Sequence, residues 1–444
     1  MPDSKFVFAE PVYTPDEEMF QVHDPVPDKF LYKLMDSGNH NKLEKFPETP
    51  PDQEVLSLAK IIGAPQYDQI VASGQVVFHS VGDTGARSSP TSQAQVADKM
   101  AEDFNESLDQ DRPKFFYHLG DVIYSFGEQT HYYDQFYEPY RNYPAPILAI
   151  PGNHDGVIYP GQKNPTTGQP VVSLESFRKN FCASEPGHLP EAGRLLRSTM
   201  TQPGVYFTLD APFVSIIGLY SNVLEGPGVI SSEGVSGSPI TDVQVEYLKR
   251  QLTRLKNEKK AVLLAVHHPP YTAGGGHSGS PKMLKDIERA VQAAGFAPHA
   301  VISGHAHNYQ RFTGNLAGKQ IPFIVAGSGG HAVNPLRKEK NSGTIRTPLD
   351  LGKYRLEHYN DHEFGYLRVA ATKDLVSFEF HTSSTVASKA AADVVNVDIH
   401  TGKPTTDRPF VSQEVRTTKL RKQEDAQKEV VKTRREAWKK HIES

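Results

Sequence analysis

Two short apolar runs, each stopping near a glycine that polar side chains follow, constrain the fold of this chain more than any other feature. Residues 115–119 lead into Gly120 and Asp121, and residues 147–150 lead into Gly152 and Asn153. Runs of this length and character are typical of buried strands in a parallel sheet. The carboxyl ends of such strands meet at one edge of the sheet, so we expect the polar side chains that follow them to lie close together.

Polar side chains also follow apolar runs at three further places along the chain, and a glycine stands between the two at two of these places. The sequences that follow the apolar runs there are GDTG at residues 82–85, HHPPY at 267–271 and GHAH at 304–307. A tyrosine also lies three residues after Asp121. Together the predicted strand ends supply seven candidate metal ligands: Asp83, Asp121, Tyr124, Asn153, His267, His305 and His307.

This set of ligands indicates the kind of metal site. Two carboxylates, a phenol, an amide and three imidazoles are hard or borderline donors without sulfur, which suits iron, manganese or zinc. Seven donors exceed what one ion normally needs, whereas two ions that share a bridging carboxylate would use them all. His267 and His268 are adjacent, so either could be the ligand at that strand end.

The order of the predicted elements favours an α/β class, namely a layered β-sandwich flanked by helices. A Ser/Thr/Pro start and helical spacing at Val96, Met100 and Phe104 predict a helix between the first two strands, which makes a βαβ unit. Further helices are predicted at 242–255 and around 283–295. Three later apolar runs, at 321–330, 364–372 and 375–381, predict strands that close a second sheet.

We divide the chain into three parts. Residues 1–72 are interpreted as an N-terminal extension, with a short helical pattern near 55–62, that lies on the main domain. Residues 73–400 form that domain, and residues 401–444 form a linker and a charged C-terminal helix. The charged helix is interpreted as solvated and partly docked on its own domain, with contact to a partner or an acidic surface as the alternative.

Composition limits the function classes. With 444 residues, a net charge of −4 and a pI near 6.6, the chain has no general attraction for nucleic acid or a membrane surface. The single cysteine, Cys182, excludes an internal disulfide framework and a multi-thiolate zinc site. The first residues do not show the basic segment followed by an apolar segment that is typical of a signal peptide. This predicts a cytoplasmic protein, or an exported one whose signal is missing from the sequence.

The ordered set GDTG, GDVIY, GNHD, HHPPY and GHAH resembles the calcineurin-like metallophosphoesterase superfamily and, within it, the purple acid phosphatases. The resemblance covers about residues 75–381. Most of the superfamily has Asp-x-His at the first motif, whereas this chain has Asp83-Thr84-Gly85 and places Tyr124 three residues after Asp121. In both features the chain resembles the purple acid phosphatases. Their plant members also carry an N-terminal β-sandwich, which residues 1–72 do not resemble.

The resemblance implies the fold, the metals and their ligands. The fold would be the layered metallophosphoesterase sandwich. Asp83, Tyr124 and His307 would hold Fe(III), and Asp121 would bridge the ions. Asn153, His267 and His305 would hold a divalent ion, iron, zinc or manganese. His267 is preferred to His268 because it aligns the His-x-Pro-x-Tyr pattern, which would turn His268 to the opposite face or behind the ligands.

The resemblance also implies an activity, that of an acid phosphatase-like hydrolase of phosphoric esters. A metal-bound hydroxide would attack a phosphate monoester, a small phosphorylated substrate, and a histidine would protonate the leaving group. His154 is the first candidate for that acid, and Asp155 would orient it. His277 is similar to an outer histidine of plant members, but it is equally interpreted as a surface-loop residue.

Two alternatives stay open. The same metal core could serve a phosphodiesterase or a nucleotide hydrolase, with the substrate chosen by the insertion at 156–204 and the loop at 225–239. A metal-bound, non-catalytic scaffold that acts through the charged tail is a different class of function. It would be favoured by the loss of a ligand. The oligomeric state, the natural substrate and the divalent metal are not specified by the residues.

Overall fold

The computed structural model describes residues 47–405, except 87–89, 158–162, 164–166, 224–227, 233–240, 274–276, 278, 337–344 and 385–389. The first 46 residues of the predicted extension and the charged C-terminal helix lie outside the described residues. The domain boundaries at residues 72 and 400 therefore stay predictions. Within the described ranges, no helix combines the length and apolar character that a bilayer crossing requires.

A seven-stranded sheet carries the first three strand ends of interest. Its order is β16-β15-β14-β13-β2-β3-β4, with β2, β3 and β4 parallel and the other pairs antiparallel. The strands are β2 (Gln75–Val81), β3 (Phe116–His118), β4 (Ile147–Ala149), β13 (Gly365–Thr372), β14 (Leu375–Thr382), β15 (Asp393–Asp398) and β16 (Pro404–Thr405). Val81 pairs with His118 and His118 with Ala149, so the three parallel strands end level with one another.

A nine-stranded sheet carries the histidine motifs. Its order is β1-β5-β6-β7-β8-β10-β9-β12-β11, and the run from β6 to β10 is parallel. The strands are β1 (Val55–Ser57), β5 (Phe207–Ala211), β6 (Val214–Leu219), β7 (Ala261–Val266), β8 (Ala300–Ser303), β9 (Tyr309–Leu316), β10 (Lys319–Ala326), β11 (Leu349–Asp350) and β12 (Tyr354–Asn360). Val266 pairs with Ser303 and Ser303 with Val325, so these strands also end level.

Helices flank the two sheets. The α-helices are α1 (Ala59–Ile62), α2 (Ala64–Ser73), α3 (Thr91–Glu102), α4 (Asn153–Gly156), α5 (Glu175–Phe181), α6 (Val243–Leu255) and α7 (Pro281–Ala294). Short 3₁₀ turns lie at Asp103–Asn105, Asp109–Asp111, Gln129–His131 and Pro190–Ala192, and a π-helical turn at Tyr133–Tyr137. α3, α6 and α7 occur where the sequence predicts helices.

The core lies in two layers because strand side chains alternate between the faces of a sheet. Tyr117 of β3 points between the sheets and packs in a cluster with Leu263 of β7. Phe116, the residue before Tyr117, belongs to the other cluster, which includes Leu248 of α6. The central strands are buried on both faces, which explains why they read as continuous apolar runs.

The predicted α/β sandwich is confirmed, with two details corrected. The run at 321–330 joins the nine-stranded sheet as β10, whereas the runs at 364–372 and 375–381 join the seven-stranded sheet as β13 and β14. The helical pattern near 55–62 is a strand, β1, followed by the four-residue helix α1. β1 pairs in parallel with β5 at the edge of the nine-stranded sheet. The sequence does not predict this strand because three residues give too short a pattern to be recognised.

Candidate metal centre

The ends of five parallel strands meet where the two sheets approach each other. Gly82, just after β2, donates its backbone N–H to the carbonyl of Ala326 at the end of β10, at 2.9 Å. On the other sheet, the backbone N–H of Gly304 donates to the carbonyl of His267, also at 2.9 Å. The polar residues that follow β2, β3, β4, β7 and β8 are thereby brought to one place, as the motif pattern predicts.

Three of the candidate ligands have a left-handed backbone. The φ angles are 59° at Asp83, 54° at Asp121 and 64° at His305. Residues other than glycine rarely adopt such angles, and each instance costs about 1–3 kcal/mol. The surrounding hydrogen bonds hold the chain there: the backbone N–H of Asp83 donates to Gly120 O at 2.9 Å, and that of His305 donates to Asp83 Oδ2 at 2.7 Å.

A glycine is required before Asp121 for a steric reason. Gly120 has φ +96°, and a Cβ atom added there would lie 2.6 Å from His267 Nδ1 and 2.7 Å from the backbone N of Gly152. No side chain fits at such distances. The Gly-Asp pairs of the motifs therefore do two things at once, since the glycine lets the strand ends approach and the aspartate turns inward.

Tyr124 lies at the centre of one half of the site. Its hydroxyl is 3.2 Å from Asp83 Oδ1, 3.0 Å from Asp121 Oδ2 and 3.2 Å from His307 Nε2. His307 Nε2 is also 3.5 Å from Asp83 Oδ1. Four side chains from three strand ends thus surround one small volume.

Asn153 lies at the centre of the other half. Its Oδ1 is 3.1 Å from His267 Nε2 and 3.0 Å from His305 Nδ1. His267 Nε2 is 3.2 Å from Asp121 Oδ2, the same oxygen that Tyr124 approaches. Asp121 therefore connects the two halves. All seven side chains predicted from the strand ends are brought together.

The balance of donors and acceptors around Tyr124 fits a bound cation. The phenol has one proton and three neighbours that can accept it, so at most one of these contacts is a full hydrogen bond. Asp83 is fully buried and Asp121 is 1% exposed, and neither forms an ion pair with Lys or Arg within the described part of the chain. Buried carboxylates are normally paired or bound to a metal.

The pKa values of the site reflect the same excess of negative charge. Burial raises the pKa of the Tyr124 phenol well above its usual value, and the nearby Asp121 and Asp83 carboxylates raise it further. Burial lowers the pKa of the His267 imidazole, but the contact with Asp121 outweighs burial and raises that pKa to about 9. A proton on His267 thus compensates the buried carboxylate, and a metal ion would compete with that proton.

His154 and Asp155 lie where the sequence places them, but their contacts differ from the expectation. His154 Nδ1 is 2.8 Å from the carbonyl of Ser125, and its backbone N–H donates to Asp121 Oδ1 at 2.9 Å. The prediction that Asp155 orients His154 is wrong. Its oxygens accept backbone N–H groups of Gly152, Val122 and Ile123 at 2.8–3.2 Å, because α4 and the β3 exit leave those groups unpaired.

His277 is part of the site wall. Its ring centroid lies 4.6 Å from that of His305 and 4.9 Å from that of His307, and its Nε2 is 3.3 Å from Asn334 Nδ2. Burial lowers the pKa of His277 to about 3, with His307 as the next cause. These contacts favour a place for His277 beside the candidate ligands over its interpretation as a surface-loop residue.

The structure also distinguishes the two adjacent histidines. His267 bonds Leu119 O through Nδ1 at 2.8 Å, which leaves Nε2 for the site. The ring centroid of His268 is 4.3 Å from that of His305, so His268 lies beside the ligands and does not face away from them. β7 ends at Val266, so the alternation of side chains does not extend to residues 267 and 268.

Sequence reasoning missed His331. Its ring stacks on Tyr124 with centroids 3.6 Å apart, and its Nδ1 is 2.8 Å from Gly85 O. His331 follows the GSGG sequence after β10, and this strand end could have been recognised by the same pattern of an apolar run, glycine and histidine.

The fold and the buried cluster of carboxylates and imidazoles define a layered α/β protein with a candidate metal centre. Groups that could hold an ion include Asp83, Asp121 and His267 in one case, and His267, His268 and His305 in another. The model of the calcineurin-like phosphoesterase family matches residues 78–309, just over half of the chain. The chain therefore belongs to the calcineurin-like phosphoesterase family, whose members are phosphoric ester hydrolases that bind metals.

Comparisons with solved structures find distant similarity. The chain is similar to GAP50, the anchor in the inner membrane complex of Plasmodium (14% identity, 70% of this chain and 85% of that chain, TM-score 0.45). It is also similar to PhoD (14% identity, 76% of this chain and 72% of that chain, TM-score 0.46). A third similar structure is a dimetal phosphatase from Danio rerio (13% identity, 70% of this chain and 96% of that chain, TM-score 0.41). No curated protein sequence matches the chain.

Proposed function

We propose that the chain hydrolyses phosphate monoesters at a centre of two cations, Fe(III) and a divalent ion. The observation that carries the proposal is the position of the Tyr124 hydroxyl, within 3.2 Å of Asp83, Asp121 and His307. A phenolate among carboxylates is a hard anionic donor set, which suits a trivalent ion. The amide of Asn153 and the imidazoles of His267 and His305 suit a divalent ion, with Asp121 between the two.

When bound, the two cations would lower the pKa of a water molecule and neutralise charge on the phosphoryl group. The chain's own residues determine the rest. Asp83 and Asp121 are held rigidly, because their backbone conformation is fixed by hydrogen bonds between strand ends. Such preorganised groups need not move during the reaction.

His154 is placed to give a proton to the leaving alkoxide. Because the Ser125 carbonyl can only accept, His154 Nδ1 carries the proton of that contact. The other ring nitrogen is then the one that can hold and donate a second proton. His154 is half-buried, whereas His267 and Asn153 are buried, so its ring lies at the outer side of the cluster.

His277 is assigned a positioning role. Its contacts are with the rings of His305 and His307 and with the Asn334 amide. It therefore limits the space beside both halves of the site. Asp155 supports the site from behind by fixing the backbone that carries Asp121 and Asn153.

The test is metal analysis with a visible spectrum of the purified protein. We expect about two metal ions per chain and, in the iron-loaded form, a visible absorption band that arises from Tyr124. Tyr124→Phe should remove the band. Tyr117→Phe is the matched control, because Tyr117 is a fully buried tyrosine in the β3 core, and the band should persist. A band that survives Tyr124→Phe would show that the Tyr124 assignment is wrong.

Substrate class is tested separately. Turnover of p-nitrophenyl phosphate should exceed turnover of its bis-ester if the monoesterase proposal is correct. Faster turnover of the bis-ester, with the metal content and the Tyr124 band intact, would support the metal centre but indicate a phosphodiesterase.

A further inference from the structure

His268 contains a buried nitrogen that the proposed ligand set does not use. The residue is 1% exposed, and its Nε2 is a buried atom without a hydrogen-bond partner in the described structure. An unpaired polar atom in the interior costs about 1–3 kcal/mol. Native proteins rarely leave such an atom unpaired, so each case calls for an explanation such as a bound ion.

The ring of His268 is held in one orientation by Ser221. Its Nδ1 is 2.9 Å from Ser221 Oγ, and its backbone N–H donates to the same oxygen at 3.0 Å. With Nδ1–H donating to the hydroxyl, the free Nε2 keeps its lone pair. A hydrogen bond from the far ring nitrogen is the usual way in which proteins orient a histidine that binds a metal.

The ring of His268 lies in the cluster of imidazoles. The ring centroid of His268 is 4.3 Å from that of His305 and 5.1 Å from that of His267. One ring nitrogen from each of the three histidines lies within 4.8 Å of the others. Nitrogens bound to one tetrahedral zinc ion at about 2.1 Å lie about 3.4 Å apart. The three ring nitrogens would therefore have to approach one another by at most about 1.4 Å to share an ion.

We propose that His268, through Nε2, is a further ligand of the ion that Asn153, His267 and His305 hold. The inference rests on the proposed two-cation site, and it specifies the chemistry of one half of that site. Three imidazole nitrogens would then outnumber the two oxygen donors, the Asn153 amide and the shared Asp121 carboxylate, which favours zinc or Fe(II) over magnesium, calcium or manganese. The divalent position is therefore selective for a borderline metal.

Contact between His268 and the substrate is a weaker explanation. Nε2 is closed to solvent, so a phosphate group that arrives from outside cannot reach it without displacing His305 or other residues of the cluster. The hydroxyl of Ser221 on the other side of the ring is fully buried as well.

The direct test counts imidazoles on the metal. Metal-free full-length protein is loaded with one equivalent of Zn²⁺, and X-ray absorption at the zinc edge measures the imidazole ligands. We expect three in the wild type and two in His268→Asn, whose apparent Kd for Zn²⁺ should rise at least about 10-fold. Two or fewer imidazoles in the wild type, or no zinc binding, would overturn the inference without reference to any variant.

Two further variants sharpen this test. Ser221→Ala keeps the ring but removes its orienting partner, and it should weaken Zn²⁺ binding about 10-fold while three imidazoles remain. His299→Asn is the matched control, because His299 is buried but both ring nitrogens are bonded, to Val262 N and to Ile399 O at 2.9 Å. It should leave zinc binding unchanged, and an equal loss in His299→Asn and His268→Asn would contradict a ligand role.

Failure of this inference and failure of the proposed function give different results. If zinc has three imidazole ligands but the protein shows neither hydrolysis nor a visible band, the proposed phosphatase activity is wrong and His268 is still a ligand. If hydrolysis and the visible band are normal but zinc has two imidazole ligands, and His268→Asn does not change that number, only the ligand role of His268 is wrong.

Discussion

The candidate metal centre and a second buried cluster draw on the same strand and on the same kinds of side chain. The second, which we call the His79 cluster, consists of His79, Asp103, Tyr143 and Tyr366. His79 Nε2 is 3.0 Å from Asp103 Oδ2, His79 Nδ1 is 3.0 Å from the Tyr143 hydroxyl, and the Tyr366 hydroxyl donates to Asp103 Oδ2 at 3.1 Å. Each contact can have its own donor proton: His79 Nε2–H donates to Asp103, the Tyr143 hydroxyl donates to His79 Nδ1, and the Tyr366 hydroxyl donates to Asp103.

The difference between the two clusters is the balance of protons. In the His79 cluster every acceptor named above faces a donor, so the network is satisfied by the protein alone. Around Tyr124, one phenol proton faces three acceptors. A histidine, aspartate and tyrosine in the core are therefore not by themselves signs of a metal site. The excess of acceptors is the informative feature.

The largest expected effect is at Asp121. Asp121→Asn should lower kcat for p-nitrophenyl phosphate by at least about 10³-fold, because both halves of the site lose their shared anion. Metal analysis should show less than two ions per chain, and near-ultraviolet circular dichroism should show a retained fold. Nearly normal turnover in this variant would contradict the bridging position.

His154 gives the next largest effect. His154→Ala should lower kcat about 10²-fold, which is typical for the loss of a general acid. Both metals should stay bound, because Ser125 O rather than an ion accepts from Nδ1 in the proposed arrangement. The loss should be greater for an alkyl phosphate than for p-nitrophenyl phosphate, whose leaving group needs no proton. Equal losses on both substrates would argue against proton donation.

Asp103 tests the other side of the comparison. Asp103→Asn should reduce the free energy of unfolding by about 2 kcal/mol, since His79 and Tyr366 lose a charged acceptor. Activity measured well below the unfolding temperature should be close to that of the wild type. Urea unfolding of the metal-free protein at neutral pH gives the first quantity. A large loss of turnover in a folded Asp103→Asn protein would show that the His79 cluster is coupled to the site.

The smallest effect is a pH dependence of stability. Burial lowers the pKa of His79 below its ordinary 6.5, although Asp103 opposes this. The folded protein therefore keeps His79 neutral while the unfolded chain takes up a proton, so acid favours unfolding. Between pH 6.5 and the lowered pKa, the contribution is at most about 1.4 kcal/mol per pH unit.

The matched comparison for that dependence is His79→Asn. Other buried histidines also titrate, so the difference in slope between wild type and variant is the quantity to measure, by urea unfolding from pH 7 to pH 5. The variant should lose less stability with falling pH. Parallel slopes would mean that the His79 imidazole is not kept neutral by the fold.

The candidate ligands were predictable because their signal is local. Asp83, Asp121 and His305 each follow a glycine at the end of a buried run, and parallel strands bring such ends together. The sheet that β10 joins was not predictable, because an apolar run does not encode its partner strand. The contacts of Asp155 and the orientation of His268 also escaped prediction, since they depend on how the chain turns after β3 and β7.

The left-handed conformation of Asp83, Asp121 and His305 restricts how this region can change during evolution. Asparagine tolerates such φ angles better than most residues and glycine adopts them freely, whereas valine, isoleucine and threonine are strained there. A lineage that lost its metals would therefore be expected to retain Asn or Gly at positions 83 and 121 long after the chemistry had gone. Substitution by a β-branched residue would instead require the strand ends to be rebuilt.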